Sequence, residues 1–206
     1  MVYAVAKGIK PGIYDTWFEC LENTNGFKGA VFKKFKTIEE AQKFINEANE
    51  LNNYDDIDYF VYTDGSCINN GKENAVAGYG IFFGDDDPRN VSKRVKGKQS
   101  NNSAELTAII KTYKIIKDDI KKGKKIGIVT DSFYAIRCIK SYGRKQENNE
   151  WKDDIPNKEL VKKIYTKYKN KDNVRFIHIN SHTGNNDIHS INNDKVDLLA
   201  KQALDL

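Results

Sequence analysis

Ile126-Gly127-Ile128-Val129-Thr130-Asp131-Ser132 is a short, almost wholly apolar run that stops on a carboxylate. Such a run is expected of a central strand buried on both faces, since a half-buried strand would alternate. Upstream, Tyr59-Phe60-Val61-Tyr62-Thr63 predicts a first strand, Val76 to Phe83 a second and Val91 to Val95 a third. Ser103 to Ile116 has helical spacing, through Leu106, Ile109, Ile110 and Tyr113. Downstream, helical stretches are expected at 132–141 and 157–169, then a strand over Val174 to Ile179. A last helix is expected to begin near Asn193 and to turn Val196, Leu199, Ala200 and Ala203 inward. This order predicts an α/β fold, a mixed five-stranded sheet flanked by helices.

Residues 1–48 read as a separate small α+β module. Met1 to Ala6 suits a strand, Lys10-Pro11-Gly12 a turn, and Thr16 to Asn23 a short helix that Asn25-Gly26 would end. Ala30 to Phe35 is a second strand. Thr37-Ile38-Glu39-Glu40 is a capping box, and the helix it opens carries Ile38, Ala41, Phe44, Ile45 and Ala48 on one face. Apolar periodicity then gives way to Asn and Asp, which places a linker at 49–57 and a larger domain at 58–206.

The 206 residues suffice for these two units, and 11% aromatic content offsets a modest 39% hydrophobic fraction. No apolar run approaches the roughly 18–20 residues that span a bilayer. The amino terminus lacks the pattern of a secretory signal. Cys20, Cys67 and Cys138 are widely spaced, against a disulfide framework or a structural zinc site. An intracellular protein, cytoplasmic or nuclear, is the resulting expectation. Of the net charge of +5, residues 1–50 contribute nothing, and residues 59–206 carry roughly +8. That excess suits a polyanionic partner and equally a chain that is simply rich in Lys and Asn.

Four carboxylates occupy particular places. Asp64 ends the first strand of the larger domain, and Asp131 ends the buried run. Glu105 lies in the first turn of a helix, and Asp197 sits on the last helix. Alone, each has an ordinary reading: a turn, an N-cap, a solvated helix face. Together at a sheet edge they would repel strongly unless cations were present. Two Mg²⁺ ions about 3.5–4 Å apart would relieve that repulsion and build a phosphodiester-cleaving site.

The chain resembles a type 1 ribonuclease H, which cuts the RNA strand of RNA–DNA hybrids. The resemblance is carried by Tyr62-Thr63-Asp64-Gly65-Ser66, Ala77-Gly78-Tyr79-Gly80, Asn101-Asn102-Ser103-Ala104-Glu105-Leu106, Thr130-Asp131-Ser132, Ser181-His182-Thr183-Gly184 and Asn193 to Ala200. It implies that Asp64, Glu105, Asp131 and Asp197 are the metal ligands, with Mn²⁺ able to replace Mg²⁺. His182 would be the loop histidine that assists proton transfer or product release. The products implied carry 5′-phosphate and 3′-hydroxyl ends. Cys67, Asn69, Asn70 and Asn101 match the family's RNA-strand contacts, and Ser100, Asn102 and Asn157 match positions that hold the DNA strand. Lys140 to Lys152 is similar to the family's basic protrusion, whose aromatic residues line a channel for DNA; Tyr142, standing where a tryptophan is usual, would be the DNA-strand contact there, and Gln146 stands where a second tryptophan is common. The His182-to-Asp197 loop looks longer than in compact relatives. Of the other histidines, His178 reads as a packing residue within a strand and His189 as a solvated loop residue.

Residues 1–48 resemble the hybrid-binding module that precedes many cellular type 1 ribonucleases H and occurs in a caulimovirus inclusion-body protein. Tyr3, Trp17 and Phe32 would contact deoxyribose, and Lys33 and Lys34 phosphate. Without the resemblance, Trp17 and Phe32 read as core residues. The implied partner is the RNA–DNA hybrid, with double-stranded RNA a second ligand open to this module, and the chain is expected to be a monomer. Rival readings are a hybrid-binding factor without catalysis and a DNA nuclease or junction resolvase on the same fold.

Overall fold

The structure is a computed structural model that describes residues 1–27, 29–52, 54–181 and 187–205. It divides into two compact units, Met1–Asp56 and Ile57–Leu206. Among the described residues, no helix is long and apolar enough to cross a membrane.

The smaller unit is a three-stranded antiparallel sheet, β1 (Val2–Lys7), β2 (Gly12–Tyr14) and β3 (Val31–Phe35), in the order β2-β1-β3. Helix α1 (Trp17–Glu22) opens with a reciprocal box in which Thr16 and Glu19 satisfy each other's backbone amides. Helix α2 (Ile38–Asn52) packs Ala41 and Ile45 on Val2 and Ala4. Four details depart from expectation. Gly12 to Tyr14 is a strand, because the turn before it returns the chain beside β1. The Glu40 carboxylate reaches past the cap to the Lys36 amide, while Thr37 accepts from the Glu40 amide. Helix α2 continues to Asn52, inside the segment expected to link the units, and Ile38 is exposed rather than inward.

In the larger unit, β4 (Tyr59–Ile68), β5 (Val76–Phe82), β6 (Val91–Arg94), β7 (Ile126–Thr130) and β8 (Val174–His178) form one sheet in the order β6-β5-β4-β7-β8. Strands β4, β5 and β6 are antiparallel, whereas β4, β7 and β8 run parallel. Every residue of β7 is buried, as its unbroken apolar run requires. Helices α3 (Asn101–Lys121), α4 (Phe133–Ile139), α5 (Ser141–Asn148), α6 (Lys158–Tyr168) and α7 (Ile188–Gln202) complete the unit. The core joins Ile81, Leu106, Ile109, Ile126, Ile128 and Ile164, among others, across sheet, α3 and α6.

Helix α7 starts at Ile188, well before Asn193, so most of the expected long loop is helical. Asp187 caps it by accepting from the His189 and Ser190 amides. Ile188 and Ile191 are both exposed, so two apolar residues among four polar ones gave a periodicity argument too little to mark this start. Two glycines then decide how closely the helices approach. A side chain at Gly80 would stand 2.4 Å from the Val196 carbonyl on α7, and one at Gly65 2.5 Å from the Glu105 amide on α3. Consecutive strand residues face opposite sides, so α3 and α7 press on opposite faces of β4 and β5.

Candidate active site

The parallel register pairs Tyr62 with Val129. Two residues further on, each strand leads to its aspartate, so Asp64 and Asp131 emerge side by side where β7 ends. The missing side chain at Gly65 lets Ala104 and Glu105, just past the first turn of α3, close on β4, which delivers Glu105 to the same place. Asp64, Glu105 and Asp131 can each offer a carboxylate oxygen such that all three lie within 4.8 Å of one another. Asp64 and Glu105 are only 6% and 4% exposed.

Burial is the main force on these groups. It pushes the Asp64 carboxyl up to about 7, assisted by the charge of Asp131 and, less strongly, of Asp197, against a backbone hydrogen bond at Gly65. Glu105 is raised well above the carboxylate range by burial first, then by Asp64 and Asp131. At neutral pH the group therefore retains a proton unless a cation replaces it. Glu105 Oε2 is buried with no hydrogen-bond partner. An orphaned carboxylate oxygen among hard oxygen donors is the environment a divalent cation such as Mg²⁺ takes, and these residues fit one.

Asp197 lies outside the 4.8 Å group. Its Oδ2 accepts from the Lys201 ammonium at 2.6 Å, one turn along α7. Asp197 still acts on Asp64 through its charge. His182 falls outside the described residues. His178 is not a packing residue: it is exposed at the end of β8, its Nε2 lies 3.1 Å from the Asp131 carbonyl oxygen, and its ring meets Phe133 edge-on at 5.5 Å. His189 is not a solvated loop residue either. It belongs to α7, where its ring lies 4.8 Å from Phe60 and its Nδ1 3.1 Å from the Tyr62 hydroxyl, and burial lowers its basicity. The early start of α7 is the reason.

Around the carboxylates, Asn70 Oδ1 accepts from the Asn101 amide at 3.1 Å, tying the β4–β5 hairpin to the start of α3. Asn69 is exposed in a left-handed turn, with φ of 53°. Cys67 is a free, partly buried thiol on β4. Ser100 caps α3 by accepting from the Ser103 amide, and Asn102 is exposed on its first turn. Asn157, at the start of α6, has φ of 58° and faces the Tyr134 hydroxyl at 3.5 Å, leaving its own buried Oδ1 without a partner. Tyr142 is partly buried against the core, and Gln146 is buried and bonded to Asp153. Sequence reasoning missed Phe133, which is 59% exposed beside Asp131. It also missed Lys201, whose spacing of four from Asp197 on a helix was the available signal.

In the smaller unit Trp17 sits between Tyr3 and Phe32, with ring centroids 5.6 Å and 5.8 Å away. Trp17 and Phe32 are 47% and 41% exposed, so they are not core residues. Adjacent strand residues diverge: the Lys34 ammonium lies 5.3 Å from the Tyr3 ring, and that of Lys33 lies 5.5 Å from Phe35.

The sequence model of the family described as RNase H matches residues 56–205, and that of the Ribonuclease H1 N-terminal domain matches residues 1–45. The chain is 28% identical to Ribonuclease H of Schizosaccharomyces pombe, covering 97% of this chain and 96% of that one. It is 27% identical to human Ribonuclease H1, over 98% and 88% of the two. The fold is shared with a foamy viral protease–reverse transcriptase in complex with an RNA/DNA hybrid, with a TM-score of 0.59 at 20% identity, over 87% of this chain and 22% of that one.

Proposed function

The chain belongs to the ribonuclease H family, as a type 1 enzyme with an amino-terminal hybrid-binding module, and from that premise we propose that it hydrolyses the RNA strand of RNA–DNA hybrids, leaving 5′-phosphate and 3′-hydroxyl ends. The observation that carries the reading is the convergence of Asp64, Glu105 and Asp131 within 4.8 Å, where burial and mutual repulsion hold Asp64 and Glu105 toward their protonated forms.

Asp64, Glu105 and Asp131 would hold the cation, and Asp197 would join them on exchanging Lys201 for it. Bound Mg²⁺, as the pair implied by the family, supplies Lewis acidity at the phosphate and lowers the pKa of a bound water. In the overall reaction a water oxygen bonds to phosphorus, the bond to the 3′ oxygen breaks, and that oxygen takes a proton, a transfer that His182 would assist as the family resemblance implies. Gly65 keeps Glu105 against Asp64, and the exposed side chains of Asn69 and Asn102 can report the RNA and DNA strands. Reading the 2′-hydroxyl is what would direct cutting to RNA. The aromatic face of Tyr3, Trp17 and Phe32 would take the hybrid by stacking on its sugars, with Lys34 beside it for phosphate.

The test is cleavage of end-labelled RNA–DNA hybrid, duplex RNA and duplex DNA, each with Mg²⁺ and with EDTA. Metal-dependent cutting of only the hybrid's RNA strand is expected. Binding without cutting would hand the function to the non-catalytic rival, and cutting of duplex DNA to the DNA nuclease.

A further inference from the structure

The positive charge of the larger unit is concentrated. Lys93 and Lys96 flank the end of β6, Lys111 and Lys114 lie on α3, and Lys163 and Lys167 lie on α6. The Lys167 ammonium stands 4.5 Å over the Tyr113 ring, which joins the two helical rows. Lys163 and Lys167 line a groove of about 440 Å³ in which Glu159 is the one carboxylate among the described residues. None of the six lysines has a carboxylate within ion-pair distance among the described residues. Other lysines of the larger unit are held by an acid, Lys124, Lys169 and Lys195 among them, at 3.1, 2.6 and 2.6 Å. Burial, and after it the charges of Lys114, Lys163, Lys96 and Lys93, hold Lys111 below its ordinary value. Burial, then Lys163 and Lys114, does the same to Lys167.

An unpaired cluster of like charges costs folding stability and is relieved by a polyanion. Its position indicates which one. Lys111 lies six residues beyond Glu105, and Lys163 six beyond Asn157, each about 9 Å along its helix axis. The amino-terminal ends of the same two helices carry Ser100, Asn102 and Asn157, the residues expected to hold the DNA strand. We propose that Lys93, Lys96, Lys111, Lys114, Lys163 and Lys167 form a second nucleic-acid-binding surface, a phosphate track that takes duplex backbone beyond the cleavage site. The inference rests on the nucleic-acid reading above and adds to it a surface that no catalytic residue shares. Ammonium groups held on phosphate read a charge that RNA and DNA backbones share. The track therefore grips hybrid and duplex DNA alike and is strongly salt-dependent.

The experiment measures binding of the full chain, in EDTA, to a hybrid and to a duplex DNA of about 30 base pairs over a range of salt. Replacing Lys111, Lys114, Lys163 and Lys167 by Gln should lower the slope of log affinity against log salt by about 3 to 4, roughly 0.9 for each phosphate no longer neutralised. The pairs Lys111→Gln with Lys114→Gln, and Lys163→Gln with Lys167→Gln, should each give about half that loss, which guards against misfolding of the quadruple variant. A control replaces Lys121, Lys122, Lys124 and Lys171 by Gln and removes the same charge elsewhere. An unchanged slope in the test variant, or an equal loss in the control, overturns the track. Hybrid cleavage by the unaltered chain is a separate readout, so failure of the nuclease reading leaves the binding comparison intact.

Discussion

The Lys201 ammonium lies 2.6 Å from Asp197 Oδ2, one helical turn along α7. Lysine thus supplies a positive charge at Asp197, and it raises its own basicity in doing so. Lys201 also feels the charge of Asp64, so it is a resident competitor for any cation entering the site.

Removing that competitor should strengthen metal binding. Lys201→Ala is expected to bind Mg²⁺ about 3- to 10-fold more tightly, the order of one screened charge interaction at a partly exposed site. Calorimetric titration of Mg²⁺ into the two chains measures it. Equal affinities would show that Lys201 leaves the site without a contest.

Asp131→Asn removes a ligand from the edge of the cluster while leaving the fold's buried positions intact. Hybrid cleavage should fall by roughly 10³-fold, the loss of several kcal/mol of transition-state stabilisation. Hybrid affinity in EDTA should stay within about 2-fold. Retained cleavage would remove Asp131 from the site.

The metal-free chain should lose stability as pH rises. Asp64, raised from 3.8 to about 7, keeps its proton in the folded state where the unfolded chain has lost it. Glu105 shifts the same way. The folded state then binds more protons throughout that window, so the free energy of unfolding declines from about pH 4 to about pH 7. Melting of the larger unit in EDTA should come at lower temperature near pH 8 than near pH 5. Mg²⁺ should reverse the loss at the higher pH, because it binds the ionised carboxylates. Asp64→Asn should flatten the profile, and an unflattened one would place the titration elsewhere.

Gly65→Ala would set a methyl group 2.5 Å from the Glu105 amide and 2.7 Å from the Ala104 side chain. Strand and helix must separate, at a cost of about 1–3 kcal/mol. Cleavage should fall further than that loss of folded protein explains, since Glu105 leaves Asp64. Thermal melting alongside single-turnover cleavage separates the two effects.

Trp17→Ala removes the middle ring of the exposed aromatic row. Hybrid binding by the full chain should weaken about 5- to 50-fold, within the 1–3 kcal/mol typical of a stacked aromatic. Anisotropy in EDTA reads it directly. Undiminished binding would return Trp17 to a role in folding alone.

Much of this was legible because the signals are local. The apolar run ending at Asp131 needs only its own residues to be read as a buried strand. Asp64, expected to end its strand, instead lies inside β4, because Gly65 to Ile68 go on pairing with β5. The start of α7 was not legible. Ile188 to Asn193 carries little helical pattern, and the helix is held there by the Asp187 cap and by the close fit of its later turns on Gly80. That error in turn misplaced His189, which Phe60 and Tyr62 enclose.

By itself, the amino-acid sequence determined the α/β class, the mixed five-stranded sheet and the buried strand that stops before Asp131, because strand ends and helix turns are set by short-range periodicity and capping. Only the tertiary structure decided that His178 touches the Asp131 carbonyl, and that lysines on and just after β6, on α3 and on α6 stand near one another. Those facts depend on the register of β7 with β8 and on how α3 and α6 pack beside each other. Such distances arise between residues far apart in the chain, where no local pattern records them.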